Sequence, residues 1–174
     1  SGNEAKGLIP ANMPLFESPD SLVSYDEEMG KKFISRSKVG LNGLKLDLSY
    51  VSTSEEYRLT SFLWMDNLKK IGLNLDLKPG LWSSNWERAK NLDTAPNIIS
   101  MAWWPTLSSP SDWFFGLYST EETPLFNLSH YSNSSIDSLL AAAWHQESLS
   151  PDSSKKLYKT IQNMLIKDCV AVPV

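Results

Sequence analysis

Two adjacent tryptophans, Trp103 and Trp104, followed by the turn-rich stretch Pro105 to Ser111, are the residues of this 174-residue chain whose types and spacing best suit chemistry. An indole offers a flat apolar face and one N–H, which suits stacking on a ligand better than breaking a bond. Ile98 to Trp103 reads as a third, mostly buried strand. The pair would then stand at a strand's carboxyl edge, where the loops of open sheets collect ligands. The hydroxyls of Thr106, Ser108 and Ser109 and the carboxylate of Asp112 lie close by in sequence. The competing expectation for each indole is burial in the core.

Other chemistries find less support. His130 and His145 are the only histidines, and no HExxH, CxxC or HxH spacing occurs, so no metal site and no cofactor are expected. Neither a GxSxG elbow nor a glycine-rich phosphate loop is present. The acids Glu27, Glu55, Glu56 and Glu87 fall at helix starts, where capping explains them better than acid/base work. Asn127 and Asn133 head N-x-S triplets, which matter only in a secretory pathway that glycosylates. Cys169 is alone, so it has no internal disulfide partner and reads as a small buried hydrophobe.

Sixteen basic and twenty acidic residues give a formal charge of -4, which offers nucleic acid or an anionic lipid surface no electrostatic footprint. No apolar run approaches the roughly 18 residues of a membrane-spanning helix, and the chain is expected to be soluble as it stands. With 41% hydrophobic residues, the chain can bury a substantial core.

The elements that must position the tryptophans follow from periodicity. Residues 1–24, with Pro10, Pro14 and Pro19, read as an irregular leader crossing another surface. Ser24 and Glu27 have capping-box spacing ahead of a helix carrying Met29, Phe33 and Ile34 and ending before Gly40. Leu44 to Val51 alternates as a strand. Thr53 and Glu56 open a helix to Lys70, stopped by Gly72, with two apolar faces: Leu59, Phe62 and Leu63 on one, Tyr57, Trp64, Leu68 and Ile71 on the other. Such a helix should pack between two layers. Leu73 to Leu77 is a second strand ended by Pro79 and Gly80, and Ser84 with Glu87 opens a short helix. Ser134 and Ser150-Pro151 begin two further helices, and Val170 to Val174 reads as a last strand. A strand, helix, strand order of this length suits a parallel crossover and hence an α/β fold.

Several ordered strings resemble one family. Tyr25-Asp26, Leu68-Lys-Lys-Ile-Gly-Leu-Asn-Leu75, Ala102-Trp-Trp-Pro-Thr-Leu-Ser-Ser-Pro110, Phe126-Asn127, Tyr131-Ser-Asn133, Asp137-Ser-Leu-Leu140, Leu157-Tyr158, Gln162, Leu165 and Val172-Pro173 are similar to stretches of the peptide/nickel-class (family 5) solute-binding proteins of ABC importers. The likeness covers residues 25–174 and is specifically to the C-terminal lobe. It implies an α/β periplasmic-binding-protein-like lobe, a mainly parallel or mixed sheet flanked by helices, and an extracytoplasmic receptor that is not an enzyme. Such a receptor closes around a small solute and hands it to an ABC permease, touching the membrane only through that permease or a lipid anchor.

Departures from the family pattern bear on the solute. Thr106 stands where peptide binders place an aspartate for the ligand's amino terminus, Ser108 and Ser109 fall in the Asp-Pro region, and Ser100 is nearest to a carboxylate-binding arginine. Asp112 can substitute from one turn further on. The resemblance therefore implies ligand contacts from Trp103, Trp104, Thr106, Ser108, Ser109 and Asp112, with peptides as first expectation and a sugar lying on the tryptophans as second. An enzyme with a paired-carboxylate cleft beside Trp103, or an interaction module docking through exposed aromatics, is the alternative class.

Overall fold

The computed structural model describes residues 4–38 and 44–173, arranged as two compact units. One unit is contiguous, Tyr25–Ala102; the other is discontinuous, joining residues 1–24 to Trp103–Val174.

The contiguous unit is α/β. Its elements are α1 (Glu27–Arg36), β1 (Lys45–Val51), α2 (Glu55–Lys70), β2 (Asn74–Gly80), α3 (Trp82–Ala89) and β3 (Ile98–Ile99). The strands form one sheet in the order β2-β1-β3, with both pairings parallel. The parallel strands of the β1-α2-β2 unit are adjacent in the sheet. Leu48, Tyr50 and Leu75 form its buried centre, covered by Tyr57, Trp64, Met65 and Leu68 of α2.

Caps fall one or two residues from their expected places. Asp26, not Ser24, caps α1 by accepting from the Met29 amide at 2.8 Å, and Ser54, not Thr53, accepts from Tyr57 at 3.3 Å. Several neighbouring residues can each cap a helix, so spacing alone does not select among them. The helix α3 starts two residues before Ser84, whose hydroxyl donates back to Leu81. The helix α1 ends at Arg36 with Ser37 as its cap, before Gly40 as expected, Gly40 itself lying outside the described residues.

Four further expectations change. Only one face of α2 is covered in this chain, since Leu59, Phe62 and Leu63 are exposed. Pro79 and Gly80 do not end β2 but pair with Tyr50 and Val51; β2 is an edge strand, where a residue without an N–H is tolerated. The expected strand Ile98–Trp103 shortens to Ile98–Ile99 plus one bond from the Ser100 amide to Ser49, because residues from Met101 onward have no strand beside them. The expected strand at Val170 is likewise absent through Pro173, Val174 lying outside the described residues.

The discontinuous unit is helical, with α4 (Pro110–Tyr118), α5 (Ser134–Leu149) and α6 (Pro151–Lys167). Asn133, rather than Ser134, caps α5, and Pro151 occupies the first turn of α6 as expected. Phe114, Ile136, Leu140, Tyr158, Ile161 and Leu165 are fully buried together with Leu8 and Ile9 of the leader. The leader is tied down by the buried Gln162, which accepts from the Leu8 amide at 2.9 Å and donates to the Glu17 carbonyl at 2.9 Å. Asn163 and Lys159 hold Asp20 on the same helix.

The helix α6 ends with paired bonds from Val170 N–H to Leu165 C=O and from Cys169 N–H to Ile166 C=O, with Cys169 at φ 55°. This is the Schellman arrangement, and it places Cys169 on the outside, so the thiol is exposed rather than buried. Among the described residues no helix is long and apolar enough to cross a membrane, and no group of three potential metal ligands occurs.

Candidate functional site

The tryptophan pair divides in two. Trp103 is half-buried, edge-on to Phe126 with ring centroids 4.7 Å apart at 67°, and its six-membered ring crosses Gly116. A Cβ at Gly116 would lie 2.8 Å from Trp103 Cζ2, so only glycine admits the ring there. Trp103 Nε1 is buried without a hydrogen-bond partner. Trp104, the next residue, is 80% exposed. One indole thus serves as an anchor in its unit and the other projects into solvent.

The segment that follows Trp104 is fixed from within. The Leu107 amide donates to Asp112 Oδ2 at 3.0 Å. Ser109 caps α4: its hydroxyl accepts from the Ser111 amide at 3.2 Å and donates to Glu147 Oε1 at 2.7 Å. Glu147 Oε1 also receives the Ser111 amide at 3.3 Å and the Tyr158 hydroxyl at 2.5 Å. Tyr158 is fully buried and stacked on Phe114, with centroids 5.6 Å apart at 14°. Burial, and next the neighbouring Glu147 carboxylate, push its phenol well above the ordinary range, so it remains a donor.

The six expected ligand residues therefore have different placements. Trp104, Thr106 and Ser108 are exposed; Trp103, Ser109 and Asp112 are partly buried and make contacts inside their own unit. Asp112 and Ser109 hold the segment's shape, Asp112 from the first turn of α4, where a carboxylate is electrostatically favoured. Ala102, the last residue before the pair, meets the Tyr57 phenol through its backbone in the contiguous unit. A shallow depression in this chain is lined by Asp26, Glu28, Met29, Lys31, Lys32 and Ser35 of the α1 region, and none of the six lines it.

Phe126, Gly116, Glu147 and Tyr158 complete this arrangement and were not expected from the sequence. Glu147 carries one signal: it is an acid in the last turn of a helix, where the helix dipole disfavours negative charge. A partner elsewhere is then required, and the α4 N-terminus, 36 residues away in sequence, provides it.

No protein-family model and no curated protein matches the chain. Solved structures do. The ABC transporter substrate-binding protein CtaP from Listeria monocytogenes superposes with a TM-score of 0.82 at 24% identity, over 97% of this chain and 33% of its own. The periplasmic binding protein DppA from Helicobacter pylori, solved in complex with peptide STSA, gives 0.82 at 18% identity, over 97% and 32%. NikA from Staphylococcus aureus, solved in complex with Ni(L-His)2, gives 0.80 at 15% identity, over 95% and 34%. The chain spans about one third of the length of the solved proteins it matches. In fold, this chain corresponds to about a third of a peptide/nickel-class substrate-binding protein of ABC transporters, in agreement with the family that its sequence strings resemble.

Proposed function

We propose that the chain is the C-terminal lobe, residues 25–174 with the leader 1–24, of an extracytoplasmic receptor that captures a small solute between two lobes and delivers it to an ABC permease. The observation that carries this reading is Trp104: a large indole four-fifths exposed on a segment hydrogen-bonded to its own unit. An indole so exposed offers a flat apolar face on which a ligand can stack when a cleft closes over it. The like-folded proteins solved with a peptide and with a nickel complex support the same reading.

Binding rather than bond cleavage fits the carboxylates near the segment. Asp112 is occupied by an amide, and Glu147 by two hydroxyls and an amide, so both act as structural acceptors. Peptides are the first solute class; of the six residues, the exposed Trp104, Thr106 and Ser108 are the proposed contacts, and Trp103, Ser109 and Asp112 hold them in place. The exposed indole between neutral hydroxyls favours an oligosaccharide as the second.

A ligand that binds only the native state raises its melting temperature. Thermal-shift screening of the two-lobed protein against short peptides, oligosaccharides and nickel–histidine complexes should show a shift with peptides. A shift with sugars alone would transfer the assignment to the second class, and no shift with any of the three would remove the receptor reading.

A further inference from the structure

We propose that Glu147 is a positioning residue for the Trp104 segment, holding it in its ligand-ready shape before any ligand arrives. This rests on the reading of Trp104 as a ligand contact. The segment from Trp104 to Ser109 is irregular, restrained locally by Pro105, by the Ser109 amide donating to the Leu107 carbonyl at 2.8 Å and by the Leu107 amide donating to Asp112, and its exposed side chains Trp104, Thr106, Leu107 and Ser108 give it no core of its own. Those bonds act within the segment and the first turn of α4, so its ties to the core are made at its ends. Trp103 fixes the start by lying across Gly116 and against Phe126. Glu147 fixes the finish through Ser109 and Ser111.

Glu147 suits this task because its own position is set by the core. The Tyr158 hydroxyl reaches it from a fully buried ring, and α5 and α6, which carry these two residues, pack along each other through Ile136, Leu140, Ala143, Ile161 and Leu165. The carboxylate also lies at the N-terminus of α4, so the chain's own anion occupies the place where a ligand carboxylate would otherwise be drawn. The consequence is selective. With Glu147 in place, Trp104 and its hydroxyl neighbours meet the uncharged body of a ligand, and its charged ends must be read elsewhere.

The test compares E147A, E147Q and Y158F in the two-lobed protein. Gln retains the acceptor oxygen, whereas Ala removes it. Amide exchange of Ser111 should speed up at least about tenfold in E147A and stay within about threefold of wild type in E147Q, with Ile161 and Leu165 amides unchanged in both. Fluorine NMR of 5-fluorotryptophan protein, with Trp104 assigned through W104F, should show the Trp104 signal broadened or split in E147A and restored in E147Q. Y158F should give an intermediate result. Unchanged Ser111 exchange and an unchanged Trp104 signal in E147A would overturn the proposal, and so would equal acceleration at Ile161 and Leu165, which marks a global effect. These readouts need no ligand, so failure of the receptor reading shows itself separately, as W104A binding every tested ligand like wild type.

Discussion

The ring of Trp103 occupies the space that a side chain at Gly116 would need, with 2.8 Å between Trp103 Cζ2 and the position of a Cβ there. Gly116 lies inside α4, where alanine is intrinsically better by about 1 kcal/mol. Overpacking works against that preference. We expect G116A to be destabilised by up to about 2 kcal/mol net, since displacing a packed ring costs about 1–3 kcal/mol against the roughly 1 kcal/mol that the helix gains. Chemical denaturation measures it, and a G116A protein more stable than wild type would show that the indole is free to move.

The two indoles should separate cleanly under truncation. W103A removes an aromatic anchor and should cost about 2–3 kcal/mol, below the range for fully buried rings because Trp103 is only half-buried. W104A touches a side chain in solvent and should change stability by less than about 0.5 kcal/mol. Its effect belongs to binding: affinity for the captured solute should fall at least about tenfold, as is usual for a tryptophan at the centre of a contact. Calorimetry and denaturation on the same pair of variants check both halves.

How much of this could be read in advance depended on how local each determinant was. The strand Leu44–Val51, the helix that Gly72 stops and the existence of a strand after it follow from apolar spacing because each signal is repeated within a few residues, although that strand runs on through Pro79 and Gly80. Caps slipped because Thr53 and Ser54, or Asn133 and Ser134, are chemically alike. The strand through Trp103 was overextended because an apolar run shows that a segment is buried but not that another strand lies beside it. Glu147 was missed for the most physical reason: its partners Ser109, Ser111 and Tyr158 are distant in sequence, and only packing of α4, α5 and α6 brings them to one oxygen.

Gln162 is fully buried, and both ends of its amide are used to hold the leader. Leucine is close in volume but can neither accept from the Leu8 amide nor donate to the Glu17 carbonyl. Each of the two groups left unpaired costs about 1–3 kcal/mol, so Q162L should lose about 2–6 kcal/mol. Limited proteolysis should then cut first between Gly7 and Asp20. A variant with wild-type stability and an uncut leader would show that water replaces the amide without loss.

The leader also carries a pH signature at Asp20. A hydrogen bond and the charge of Lys159, aided by Asn163, hold its carboxyl below the ordinary aspartate range, and Asp20 in turn raises the Lys159 ammonium above the ordinary lysine range. A depressed carboxyl contributes stability above its unfolded pKa and loses it as pH falls through the folded value. A raised ammonium contributes below its unfolded pKa and loses it as pH rises through the folded one. Leader docking should therefore be constant through neutral pH and weaken at both extremes. Carboxyl carbon NMR should place the Asp20 midpoint below the ordinary value, and K159M should return it upward. An Asp20 midpoint that K159M leaves unchanged would mean that the pair does not form in solution.

The two helix ends built alike in this chain offer the last test. The helix α2 closes on Gly72 at φ 87°, and α6 closes on Cys169 at φ 55°, each with one bond spanning five residues and one spanning three. Glycine takes a left-handed conformation without strain, whereas a side-chain-bearing residue does so at a cost of about 1–2 kcal/mol. Glycine also makes the unfolded chain more flexible, which returns part of that difference to the unfolded state. The Cys169 side chain is exposed, so no core packing is lost with it. C169G should consequently be more stable by about 0.5–1 kcal/mol, whereas C169V, β-branched and ill-suited to positive φ, should be less stable by at least as much. Equal stability of the two variants would mean that the helix unwinds before Cys169 and that the paired bonds from Cys169 and Val170 do not hold its end.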